Sequence, residues 1–172
     1  MTRWPRAAAI AAVAVLAVVT SGCGKQVLGG TAGADIKALP ASTLPREISG
    51  LTVKQESITK PLKQTKHSYA DAIGFYSLRQ DKVVQATVQV SQLGPEARLE
   101  DEGFRQQLVD QSSPGTAVPL TIGESTVMQS TGTKATVSIW FSQERMVLLT
   151  VLSTYDGARG LLEQTLAALP AT

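Results

Sequence analysis

Cysteine and histidine each occur once in this sequence, at Cys23 and His67. With no second thiol, an internal disulfide is excluded, so a domain built from this chain is held together by its packed core. A single histidine excludes a multi-histidine metal site within one chain, and any Ser-His-Asp triad would have to use His67. Excess charge is also missing. Leaving aside Arg3 and Arg6, which precede the first apolar run, 14 basic residues face 14 acidic ones, and no basic stripe offers a footprint for nucleic acid. No Gly-rich phosphate cradle, zinc-ligand cluster, nucleophile elbow or paired-acid motif is present. The sequence therefore assigns no catalytic residue, no metal ligand and no cofactor. A membrane span needs about 20 apolar residues, and the uncharged run 7–19 falls short of that.

The most informative feature present is the position of Cys23. Arg3 and Arg6 are followed by the apolar run, then by Thr20, Ser21, Gly22 and Cys23. A charged start, a short apolar stretch and small residues before a cut site describe an export signal that is removed. This arrangement resembles the lipobox of bacterial lipoproteins, with Thr20 standing where a large aliphatic residue is usual. The resemblance implies that residues 1–22 are cleaved, that Cys23 is acylated and becomes the new N-terminus, and that the chain is anchored in the cell membrane outside the cytoplasm. An ordinary secretory signal with an incidental cysteine and a retained anchor are the other readings. No twin-arginine pair is present, which favours the general secretory route.

Residues 23–43 are rich in Gly, Ala, Ser and Thr and contain Gly29, Gly30 and Pro40. So little apolar surface does not offset ordering entropy, which predicts a flexible lipidated tether and a single domain over residues 44–172. A coil of about 20 residues averages roughly 25 Å end to end. Residues 54–67 carry Lys60, Lys63, Lys66 and His67 around Pro61, with Glu56 the only acid. This basic stretch is either a solvated loop or a candidate anion site for phosphate-rich polymers or lipid headgroups. His67 and Asp71 have the spacing of a surface pair.

Within residues 44–53, Ile48, Leu51 and Val53 predict an opening turn and short strand, and from residue 72 the pattern turns to further strands. Residues 72–79 and 82–91 predict a hairpin, with Ala86, Val88 and Val90 on one face and Gln85, Thr87 and Gln89 on the other. Gly94-Pro95 predicts a helix over residues 96–110, Pro95 suiting its first turn and Glu96, Glu100, Asp101 and Glu102 suiting its positive end. Further strands are predicted over 116–122, 125–131, 134–142 and 145–153. A final amphipathic helix covers 156–169, with Ala158, Leu161, Leu162, Thr165, Leu166 and Leu169 on one stripe. Met146 to Leu152 is apolar on both faces and reads as a central strand covered on both sides. The fold class is α+β, an antiparallel sheet of about six or seven strands flanked by two main helices. At an offset of 63 residues, Gln80-Asp81-Lys82 overlays Gln143-Glu144-Arg145, a hairpin-plus-helix pseudo-repeat.

Trp140 shares a strand with Val137, Ile139 and Phe141 but points the other way. It is either a core residue or, with Gln85, Thr87 and Gln89, a candidate partner-binding surface. The signal, the tether and segments such as residues 75–79, 86–91 and 137–141 are similar to those of small lipoproteins of high-GC Gram-positive bacteria, with a distant likeness in element order to Mog1/PsbP-like lipoproteins. That resemblance implies an antiparallel sheet flanked by helices and leaves function open. The preferred reading is a non-catalytic, membrane-anchored binding or accessory module of the cell envelope, with an envelope protein or cell-wall component as partner. An unrecognised envelope enzyme and a carrier of a lipid or other apolar ligand are the alternatives.

Overall fold

Among the described residues, four two-residue turns organise the fold, and each begins with a residue in the left-handed region. Ser49 (φ 54°) precedes Gly50 (φ 74°), Asp81 (φ 55°) precedes Lys82, Gly123 (φ 59°) precedes Glu124, and Gln143 (φ 55°) precedes Glu144. Such turns match the twist of antiparallel strands, so each closes a hairpin. The computed structural model describes residues 35–58, 62–63 and 69–171. The expected acylation at Cys23, and Lys60, Lys66 and His67, lie outside the described residues, as does the side chain of Lys63.

The strands are β1 (Asp35–Ala38), β2 (Glu47–Ile48), β3 (Leu51–Gln55), β4 (Leu62–Lys63), β5 (Ala70–Gln80), β6 (Val83–Leu93), β7 (Val118–Ile122), β8 (Ser125–Thr131), β9 (Ala135–Ser142) and β10 (Arg145–Leu152). Helix α1 (Glu102–Ser112) follows β6 and α2 (Ala158–Ala168) follows β10. The sheet runs β2-β3-β5-β6-β10-β9-β8-β7, with β1 paired to β5 and β4. Every pairing is antiparallel except β1 on β5. The fold is α+β, as expected, and the seven expected strands correspond to β3 and β5 to β10. The three additional strands, β1, β2 and β4, are only two to four residues long, too short to show a hydrophobic period.

The central pair joins the two halves, matching Val90 with Val147, Val88 with Leu149 and Ala86 with Val151. These side chains face α2 and pack with its Leu161, Leu162 and Leu166 in one buried cluster that also holds Tyr76, Leu78 and Trp140. Burying a leucine or valine of this kind contributes roughly 1.5–3 kcal/mol. The opposite face presents Val137, Ile139 and Met146, on which α1 sets Phe104, Leu108 and Val109 beside Tyr69 and Leu93. Tyr69 meets the Phe104 ring edge-on at 4.9 Å.

Three expectations are corrected. Residues 35–43, assigned to the tether, are part of the fold. Lys37 pairs with Ala72 and Ala38 with Ile73, Leu39 and Leu44 are buried, and the Pro40 carbonyl accepts from the Tyr76 hydroxyl at 3.0 Å. Backbone pairing and two buried leucines supply the ordering that composition alone did not predict. Helix α1 starts at Glu102, not near 96, because residues 94–101 form turns and the Asp101 carboxylate accepts from the Phe104 amide at 3.1 Å as the N-cap. The pseudo-repeat is limited to the hairpins. Their left-handed residues, Asp81 and Gln143, are 62 positions apart, and the helices that follow pack on opposite faces of the sheet.

Candidate functional site

Because α1 packs on Val137, Ile139, Met146 and Leu93, it covers the β9–β10 side of its face and the Leu93 end of β6, and no helix among the described residues packs on the rest of β3, β5 and β6 there. Strand β10 is central as expected, but its cover is uneven. Val147, Leu149 and Val151 are buried toward α2, whereas Leu148 and Thr150 are half-buried on the other side. On β6 the uncovered region shows Thr87 exposed, with Gln85 and Gln89 half-buried. Neighbouring β5 contributes Phe75, Ser77 and Arg79, and β3 contributes Lys54 opposite Ser77.

A polar network occupies this uncovered face. The Arg79 guanidinium lies 2.7 Å from Glu56 Oε1 and donates through Nε to Ser77 Oγ at 2.8 Å. Ser77 in turn donates to Glu56 Oε1 at 2.5 Å. Hydrogen bonding from Ser77, followed by that from Arg79 and the Arg79 charge, holds the Glu56 carboxyl below its ordinary value against the opposing effect of partial burial. A carboxylate held low is a weak proton acceptor, and the Ser77 residue is only 3% exposed. The arrangement rigidifies a binding surface better than it activates a nucleophile.

Trp140 does not belong to this surface, so its candidate docking role is corrected. It is 1% exposed and its indole N–H donates to the Leu169 carbonyl at 2.7 Å, closing the C-terminal end of α2. Register also separates it from the β6 glutamines. Trp140 aligns with Val147 and Val90 on the α2 face, while Gln89 aligns with Leu148 on the other. The structure therefore keeps Gln85, Thr87 and Gln89 together and removes Trp140 from them. Of the candidate anion site, Lys63 is placed by its backbone in β4, opposite Asp35; the arrangement of the three lysines lies outside the described residues.

Glu56, Ser77 and Arg79 were not singled out from sequence. Ser77 and Arg79 alternate along one strand, but Glu56 reaches them only through the β3–β5 register. Clefts among the described residues accompany the sheet. One of about 210 Å³ opens where β1 and β3 leave a gap along β5, lined by Gln55, Glu56, Ile58 and Phe75. A larger one of about 490 Å³ lies at the end of the sheet, between Gln92 to Pro95, Asp71, Glu100 and the Gln143-Glu144 turn. Both are open to solvent. Among the described residues, no group of three His, Cys, Asp or Glu side chains is placed to hold a metal ion. No helix among them is long and apolar enough to cross a membrane. No protein family, curated protein or solved structure matches this chain at a significant level.

Proposed function

We propose that this chain is a lipid-anchored, extracytoplasmic docking module, held at the cell membrane through acylated Cys23 and binding an envelope partner through the uncovered face of β3, β5 and β6. The lipobox-like sequence from Thr20 to Cys23 supports the anchor. The observation that carries the docking role is the unequal helix cover among the described residues, which leaves Ser77, Arg79, Gln85, Thr87 and Gln89 on a face that no described helix packs against. The Glu56–Ser77–Arg79 network supports binding over catalysis, since its groups satisfy one another and Glu56 is a poor base. Extended sheet faces with fixed side chains suit recognition because little ordering entropy is lost on association.

The anchor is tested by metabolic labelling with a fatty-acid probe. Cys23→Ala, which removes the chain's only thiol, is expected to abolish the label and leave the leader misprocessed. Label retained on that variant would overturn the lipoprotein reading.

A further inference from the structure

Strand β1 sets where an anchoring segment would enter the domain. It runs parallel to β5, pairing Lys37 with Ala72, so Asp35 lies at the strand end where β5 begins. The same end holds the finish of β6 and the start of β10, through Ala70 opposite Leu93 and Gln92 opposite Arg145. The turn at Asp81-Lys82 lies at the other end. Strands β5 and β6 are 11 residues each, so the two ends are about 35 Å apart.

Only residues 24–34 separate Cys23 from β1. Eleven residues reach at most about 38 Å. The bilayer excludes the domain's volume, so a short attachment at one strand end turns that end toward the membrane and the Asp81-Lys82 turn away from it. The uncovered face lies along the strands, so it stands along the membrane normal and faces sideways.

Resting on the anchored reading, we infer that this face docks the extracytoplasmic part of an integral membrane protein standing beside the domain. The short attachment keeps the face beside the bilayer, while its sideways orientation turns it from the lipid and toward a neighbour in the same membrane. A membrane neighbour also gains most from a short tether, because the tether sets its effective concentration.

The test uses the full chain purified from cells with its lipid attached. Mass analysis first establishes acylation of Cys23; an unacylated thiol there overturns the anchored reading and this inference with it. Acylation leaves the engineered cysteine of Glu144→Cys or Lys82→Cys as the only thiol for a donor dye. In vesicles of phosphatidylglycerol and phosphatidylethanolamine carrying an acceptor-labelled lipid, the Glu144→Cys protein is expected to transfer several-fold more strongly. Equal or reversed transfer in acylated protein overturns the inference while the anchor stands.

A photo-crosslinking residue at Thr87 then reads the occupant in intact cells. The expected product contains a membrane-spanning polypeptide. Inserting 33 Gly/Ser residues before Asp35 lengthens the tether fourfold and is expected to lower its yield about eightfold. Crosslinks to lipid, wall polymer or a soluble protein, or a yield indifferent to tether length, overturn the inference.

Discussion

The two faces of the sheet are built from the same strands and differ in what covers them. Toward α2, Tyr76, Leu78, Val88, Val90, Val147, Leu149 and Trp140 form a continuous buried layer closed by Leu161, Leu162 and Leu166. Toward α1, buried packing runs from Val137, Ile139 and Met146 to Leu93 and Ile73 at one end of β6 and β5, and these two strands continue with Ser77, Arg79, Thr87 and Gln89. Alternation along one strand, such as Ala86-Thr87-Val88-Gln89-Val90, therefore serves two purposes: one set of side chains holds the fold together and the other is available for recognition. The lesson is that stability and function are separable here by face, although they share every backbone hydrogen bond.

The strongest way to test that separation is a charge on the packed face. Leu162 is 3% exposed in the stripe that α2 lays on the sheet. Leu162→Asp places an unpaired carboxylate there and is expected to unfold the domain or remove most of its stability, because natural domains have only about 5–15 kcal/mol. Circular dichroism with urea melts measures this. A melt like that of the wild type would mean that the α2 face does not dominate stability.

Next in size is a matched pair of truncations. Trp140→Ala empties a fully buried site and leaves the Leu169 carbonyl without its indole donor, and it is expected to cost about 3–5 kcal/mol. Thr87→Ala, on the uncovered face, is expected to change stability by less than about 0.5 kcal/mol. Equal losses in denaturant melts would dissolve the distinction between the faces.

These contrasts bear on what the sequence can reveal. Period-two alternation and short turns made the β5–β6 and β9–β10 hairpins legible, because both signals are local. The α2 stripe was legible for the same reason, as five of its apolar positions recur at helical spacing. Trp140 was placed on the correct strand face, yet nothing local indicates which face a helix will cover, so its exposure depended on tertiary packing. Strand β1 has one half-buried residue among four and exists because β5 offers it an edge. The start of α1 was misplaced because Gly94-Pro95 and the nearby acids fit a helix opening, whereas Asp101 is the residue whose carboxylate meets the Phe104 amide. Half of the candidate face, Gln85, Thr87 and Gln89, followed from alternation. The other half, Glu56 with Ser77 and Arg79, required knowing that Lys54 lies opposite Ser77.

The smallest expected effect tests whether the uncovered face contributes to stability at all. Glu56 has its pKa lowered from the ordinary 4.5, chiefly by the Ser77 hydrogen bond and then by Arg79. A depressed carboxyl stabilises the fold fully above its unfolded value, and that contribution is lost as pH falls through the lower folded value. The Glu56 and Arg79 side chains are 41% and 28% exposed, so solvent screening limits the contribution to below about 1 kcal/mol. Glu56→Gln removes the charge while keeping an acceptor for the Ser77 hydroxyl. In urea melts between pH 3 and 7, the wild type is expected to lead the variant slightly at neutral pH, with the gap closing as pH falls below about 4.5. A gap that persists unchanged in acid would assign the effect to packing around Glu56 and not to its charge. A gap of several kcal/mol at neutral pH would mean that this face helps to hold the domain together, and the division of labour between the two faces would fail.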